Sequence, residues 1–291
     1  MISLKRRPGA MLAAGVLALA VSGTASALPF FPSSGTTPGT QYEDDNIEWF
    51  IDKDGDDAIS VGDELVAVGE FSVARDILAP VSPAIPLDTA ADELVVVSRV
   101  KVETGLITDS HLSLAHAHFG PVDSGTPMVA VYSMGSSIDL DLGTYVNCSD
   151  MTSCIAAVED GTLLAEFTIV DPDDEWFFTP THPAALDPAT VAGLAQTTKV
   201  GTVNFALSQV GGPFETKPLS IDCTIFTCAG DGLTNIVGSS DILGGSGLPA
   251  SLGAFATSDT DVSVIPEPGA LALLGMGLLG AGLARRRRRL A

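Results

Sequence analysis

Positive charge is what this 291-residue chain has least of: 14 lysines and arginines stand against 36 aspartates and glutamates. Eight of the 14 bases sit in the two ends, as Lys5, Arg6, Arg7 and the five arginines at 285–289. No acid lies before Leu28 or after Pro268, so the middle carries 6 − 36 = −30. A body this negative repels phosphate backbones and anionic lipid, which argues against nucleic acid as a partner. It favours solubility and suits divalent cations, and a solvated acidic surface is ordinary for a secreted protein.

Cysteine is also scarce. The four cysteines form two local pairs, Cys148 with Cys154 and Cys223 with Cys228. Neither pair has C-x-x-C spacing and no histidine adjoins either, so the pattern argues against zinc and redox chemistry. In an exported chain an even count points to two small-loop disulfides, although sequence alone leaves two other pairings open. Catalytic signatures are missing as well. There is no G-x-S-x-G, no defensible order of serine, histidine and acid, and no phosphate loop. Acids are so plentiful that no pair stands out as the carboxylates of a glycosidase. No catalytic residue is assigned, and the chain reads as non-enzymatic.

Long apolar runs are lacking too, and the short ones stand at the ends. The front has a basic start, an apolar run of ~12 residues at 10–21, and Ala25-Ser26-Ala27. These are the three parts of a secretory signal peptide, with cleavage after Ala27 and residues 1–27 removed. The run is too short to be a permanent anchor, which needs ~20 residues. At the rear, Val264-Ile265-Pro266-Glu267-Pro268 precedes residues 269–284, which carry no charge, and then the five arginines. At ~1.5 Å per residue those 16 residues reach only ~24 Å against a ~30 Å hydrocarbon core. Five glycines (269, 275, 277, 280 and 282) weaken the span further. The arginines hold to the cytoplasmic side, which leaves Pro266-Glu267-Pro268 at the outer face of the inner membrane.

Residues 264–289 thus resemble a PEP-CTERM sorting signal, with motif, weak span and basic end in order. The resemblance implies that an exosortase, after the secretion machinery, processes the chain near Pro266, Glu267 and Pro268. It also implies a transient stay in the inner membrane. The body then passes to the outer-membrane surface or the extracellular matrix of a Gram-negative bacterium that makes exopolysaccharide and biofilm.

Between the ends, residues 28–46 read as a flexible lead-in, rich in Pro, Ser, Gly and Thr up to Gln41. Residues 47–263 read as one β-rich exported domain, and 264–291 as the sorting tail. Short alternating or apolar runs predict strands at 47–51, 65–68, 94–102, 111–119, 128–132, 163–170, 200–207 and 219–226. Residues 258–264 form a last strand or a tether. Asp187 followed by Pro188 predicts a helix start running through 189–196. The expected fold is all-β: an antiparallel β-sandwich or jelly-roll-like domain, flanked by the signal-peptide helix and a C-terminal transmembrane helix.

One constellation carries chemistry. Counting from Asp52, acids fall at loop positions 1, 3 and 5 (Asp52, Asp54, Asp56), with Ile59 at 8, Ser60 at 9 and Asp63 at 12. This resembles an EF-hand-type calcium loop. The resemblance implies Ca²⁺ held by Asp52, Asp54, Asp56, the Ala58 carbonyl, Ser60 and Asp63, since calcium takes six to eight hard oxygens at ~2.4 Å. Two positions differ from the pattern: Asp57 replaces the glycine at 6, and Asp63 replaces the glutamate at 12, with Glu64 beside it. Aspartate is among the few residues that tolerate the positive φ needed at position 6. The flanks read as strands rather than helices.

Weaker candidates are His111, His116 and His118, of which the last two share a strand face, and the acids from Asp171 to Glu175. Trp176, Phe177 and Phe178 suit a core better than a sugar-binding strip. The function expected is a calcium-stabilised surface or matrix protein, with exopolysaccharide as an associated partner. The alternative is a polysaccharide-acting hydrolase or carbohydrate-binding module.

Overall fold

The computed structural model describes residues 40–76, 85–86, 93–107, 115–134 and 148–266. The strands are β1 (Thr40–Ile51), β2 (Glu64–Asp76), β3 (Ile85–Pro86), β4 (Glu93–Val102), β5 (Ala117–Pro121), β6 (Val129–Met134), β7 (Thr162–Thr168), β8 (Glu175–Pro180), β9 (Lys199–Gly211), β10 (Thr216–Lys217), β11 (Leu219–Ser220), β12 (Leu233–Thr234), β13 (Ile236–Gly244) and β14 (Ala256–Pro266). Helices α1 (Met151–Glu159) and α2 (Pro188–Gly193) are inserted between them, with one 3₁₀ turn at Ala250–Leu252.

Every pairing in the sheet is antiparallel, and the order closes on itself. β1 joins β2 and β14, β2 joins β4, and β13 lies between β14 and β9. The remaining gap, from β4 to β9, is spanned by two broken staves. β5 and β6 lie end to end on β4, opposite Val100–Val102 and Glu93–Ser98. β7 and β8 lie end to end on β9 in the same manner and pair with β6 and β5. The result is an eight-staved up-and-down barrel in which sequence neighbours are spatial neighbours.

The all-β expectation holds, but the sandwich or jelly roll gives way to a closed barrel. Strands of both architectures show the same alternation. What separates them is whether the outermost strands meet, and here β1 hydrogen-bonds to β14 along nine residue pairs. The predicted strand at 219–226 shrinks to the two residues of β11, because the chain turns at Asp222 and its side chain accepts from Thr224 N–H at 2.9 Å. The predicted helix start is real: Asp187 caps α2 by accepting from Thr190 N–H at 3.0 Å. The helix ends early, at Gly193, where Leu194 turns extended. The signal peptide and the C-terminal span lie outside the described residues, and His111 does too. Among the described residues no helix is long and apolar enough to cross a membrane.

Both faces of the barrel wall are covered on one side. Ile47 and Trp49 of β1, Val66 and Val68 of β2 and Val95 and Val97 of β4 point outward and are buried beneath α1 and Leu252. The Cys148–Cys154 disulfide ties α1 to the segment before it. Asp150 caps that helix, accepting from Ser153 N–H at 2.8 Å. On the opposite wall Phe177 and Ala206 are covered by Ile221 and Phe226, next to the Cys223–Cys228 disulfide. The two local pairings are therefore the ones formed, and each staples a segment that covers an outward apolar patch.

Trp49 anchors the first of these covers: it is buried, and its indole N–H donates to the Leu252 carbonyl at 2.7 Å. Trp49→Ala is expected to cost about 3–5 kcal/mol, read as a lower denaturant midpoint. Trp49→Phe, which keeps most of the packing and loses the hydrogen bond, should cost about 1 kcal/mol. Equal losses for the two would contradict this assignment.

Candidate functional site

The loop joining β1 to β2 gathers the acids that the sequence singled out. Asp52, Asp54, Asp56 and Asp63 each offer a carboxylate oxygen, and these atoms all lie within 4.8 Å of one another. It is the one such group of metal-ligating side chains among the described residues. The backbone is wound by those same carboxylates. Asp52 accepts from the N–H groups of Asp54, Gly55 and Asp57, which hold its carboxyl below the usual carboxylate range, the Asp57 bond contributing most. Asp54 accepts from Asp56 N–H and from the Ser60 hydroxyl, and Asp56 from Ala58 N–H at 2.8 Å. Asp57, at the position where the calcium-loop pattern has glycine, has φ 59°, the one positive φ outside glycine among the described residues.

Asp63 closes the loop. It is fully buried, and its two oxygens accept from Lys53 N–H at 2.8 Å and Ser60 N–H at 2.7 Å. Its neighbour Glu64 belongs to β2 and pairs with the Lys53 ammonium instead. The loop is also docked on the barrel. Gly62 N–H donates to Val102 O, Val102 N–H to Asp63 O, and Ile59 N–H to Leu186 O, each at 2.9 Å. The Ile59 side chain packs against the barrel core and lines the space inside it. The loop thus forms part of the cap at one end of the barrel.

That interior space is a second candidate, which the sequence reading missed. It is a cavity of about 130 Å³. Most of its wall is apolar, with Phe119, Trp176, Phe178 and Phe205 among the lining residues. Across β1, β14 and β13 runs a polar ladder instead. Asn46 donates its side-chain amide to Asp44 at 3.2 Å, to Ser258 at 3.0 Å and to Thr260 at 2.7 Å. The Ser258 hydroxyl donates to Glu48 at 2.6 Å, and the Thr260 hydroxyl to Ser240 at 2.7 Å. Gly69, opposite Asn46 on β2, makes room: a Cβ there would collide with the side-chain oxygen Oδ1 of Asn46.

Burial dominates the electrostatics of the ladder. It pushes the Asp44 carboxyl well above the usual range, against hydrogen bonds with Thr260 and Asn46. It raises Glu48 from 4.5 to about 7, against its bond from Ser258. The missed signal was in β1 itself, where Asp44, Asn46 and Glu48 alternate with Ile47, Trp49 and Ile51. The period of two was visible, but its polar side faces inward.

The remaining candidates are engaged in structure. His116 and His118 do lie side by side, with ring centroids 4.8 Å apart, and both pack on Phe177. The acids of 171–175 spend their oxygens on protein donors. Asp173 accepts from Gly230 and Gly232 N–H, Asp174 from Val170 and Asp171 N–H and the Thr234 hydroxyl, and Glu175 from Thr227 N–H. They tether the loop that carries the second disulfide. Trp176, Phe177 and Phe178 are all buried, Trp176 stacked on Phe205 at 4.9 Å.

The end of the barrel carries the sorting information. β14 runs through Val264 and Ile265 to Pro266, which pairs with Thr216. Residues 264–289 match the PEP-CTERM protein-sorting motif. The chain is therefore exported, transits the membrane and is sorted by an exosortase. The motif begins inside the last barrel strand, while Ala27, Glu267, Pro268 and the arginines lie outside the described residues. No curated protein matches the chain. Among solved structures there is a match to a nonspecific heme-binding cyclase that catalyses a [4 + 2] cycloaddition in neoabyssomicin biosynthesis. It has 10% identity and a TM-score of 0.27 over 85% of this chain and 80% of that one, too low to carry any argument.

The Glu48 carboxyl predicts a pH dependence. Its folded value is raised, so the folded chain holds this proton where the unfolded chain has lost it. The stability it contributes is full below pH 4.5 and falls as the pH rises to about 7. Asp44 acts in the same direction. Glu48→Gln cannot ionise, so its melting temperature relative to the wild type should climb between pH 4.5 and about 7 and level off above. A constant difference across that window would overturn the assignment.

Proposed function

We propose that the mature chain is a non-enzymatic surface or matrix protein, associated with exopolysaccharide, whose barrel is fixed by Ca²⁺ in the 52–63 loop. The observation that carries the calcium reading is the convergence of four carboxylates within 4.8 Å on a loop whose sixth residue, Asp57, has the required positive φ. The residues fit the ion: Asp52, Asp54, Asp56 and Asp63 offer hard oxygens, Ser60 lies beside Asp54, and the Ala58 carbonyl is the backbone ligand of the pattern. Bound calcium would supply charge neutralisation for acids that otherwise repel one another. Because Ile59 of the same loop reaches the barrel core, fixing the loop fixes the cap.

The non-catalytic reading rests on what surrounds the acids. Asp44 and Glu48 stand in a largely apolar lumen, hydrogen-bonded to an amide and hydroxyls. A glycosidase sets its two carboxylates on either side of a cleft that admits sugar and water. A sugar-binding strip needs exposed aromatics, and the aromatic run at 176–178 is buried.

Two measurements test the reading. Calcium at a hundredfold over its dissociation constant should stabilise the barrel by about 2.7 kcal/mol, and chelator should reverse this. Asp52→Ala with Asp54→Ala should melt at the chelated midpoint and ignore calcium. An unchanged midpoint with silent substitutions removes the metal. For the tail, intact-mass spectrometry of the mature protein should find a C-terminus that lacks the five arginines of 285–289. A mature chain that retains them overturns the processing.

A further inference from the structure

An eight-stranded barrel has an interior just wide enough to be filled by side chains or to hold one small ligand. In this barrel the side chains do not fill it: about 130 Å³ remains. Apolar cavities of that order accept a single benzene-sized molecule. Two features of the wall narrow the choice. One side is aromatic, with Trp176, Phe178 and Phe205 facing the space. The other is the ladder of Asp44, Asn46, Glu48, Ser240 and Thr260, all of which line the same cavity.

The ladder is rich in acceptors. Its donors are the Asn46 amide and the hydroxyls of Ser240, Ser258 and Thr260, and they serve one another as well as two carboxyls. Among the described residues no lysine, arginine or histidine lines the cavity to balance those carboxyls. A buried carboxylate is costly until a cation or a strong donor joins it, and an anion beside it is repelled.

We propose that the barrel lumen is a binding site for a one-ring, largely apolar amine, with its ring against Trp176, Phe178 and Phe205 and its ammonium on the Asp44–Glu48 wall. Ile59 of the acidic loop and Val264 at the start of the sorting motif also line this space, but the proposed contacts use neither the loop carboxylates nor Pro266-Glu267-Pro268. The ring accounts for the shape and apolar character of the space, and the ammonium supplies the donors and the charge that the ladder lacks.

The test is titration calorimetry of the exported chain at pH 8 with benzylamine, toluene and benzoate. Benzylamine should bind at least about tenfold more tightly than toluene, and benzoate should not bind at about 10 mM. Glu48→Gln together with Asp44→Asn should bring benzylamine to the level of toluene. Ala67→Leu adds volume from the β2 wall and should abolish binding of both. Ala165→Val fills from another stave and serves where Ala67→Leu fails to fold. Equal binding of all three compounds, binding of none, or benzylamine binding that survives both filling substitutions would each overturn the proposal.

Discussion

The β1–β14 ladder joins residues more than two hundred positions apart: Thr40 lies opposite Val264, and Glu48 opposite Ala256. Every other pairing in the ring connects staves that are consecutive in the chain, so hairpins can form in order as the chain emerges. Closure alone is non-local. It removes the two open edges, which would otherwise expose unpaired N–H and C=O groups to other chains. It also brings β1 beside β14, without which Asn46 could not reach Ser258 or Thr260. The polar wall of the lumen exists only in the closed ring.

The same ladder sets the relation between folding and sorting. β14 ends at Pro266, and the sorting motif starts at residue 264. The last strand of the barrel and the first residues of the processing signal are therefore one piece of chain. Val264 is buried and paired on both sides, with Thr40 and with Ile236. At the other end of the barrel, β1 runs directly into the acidic loop, whose Ile59 lines the lumen. One strand thus contributes the closure, the polar wall and the approach to the cap.

Much of this was open to reading from sequence, and the exceptions have physical causes. β2, β4 and β9 announced themselves because their residues are β-branched and apolar, and the acidic loop because its carboxylates recur at fixed spacing. The first half of β1 was read as lead-in because its inward residues are Asp44 and Asn46, and a polar stretch next to proline and glycine looks like a linker. β13 escaped for a related reason: Gly238, Ser239, Ser240 and Asp241 interrupt it. Gly238 stands where a Cβ would collide with the Phe205 ring. Barrel and sandwich could not be told apart, because closure depends on which edges meet and no local pattern records that.

The inversion of β1 bears on what the lumen is for. Its apolar side, Ile47 and Trp49, faces outward and stays buried only because α1, its disulfide and the Leu252 turn are laid over it. Its polar side faces a cavity where Asp44 and Glu48 are pushed toward the neutral form by burial. Facing Ile47 and Trp49 inward instead would have put apolar side chains into the space and released the Asp44 and Glu48 carboxylates to water. Local preference and global fold disagree along this one strand while they agree along β2 and β4, and such disagreements concentrate where a protein binds something. A barrel shaped only for rigidity gains nothing from an acidic wall around an unfilled centre; a barrel that holds a small donor-bearing molecule needs both.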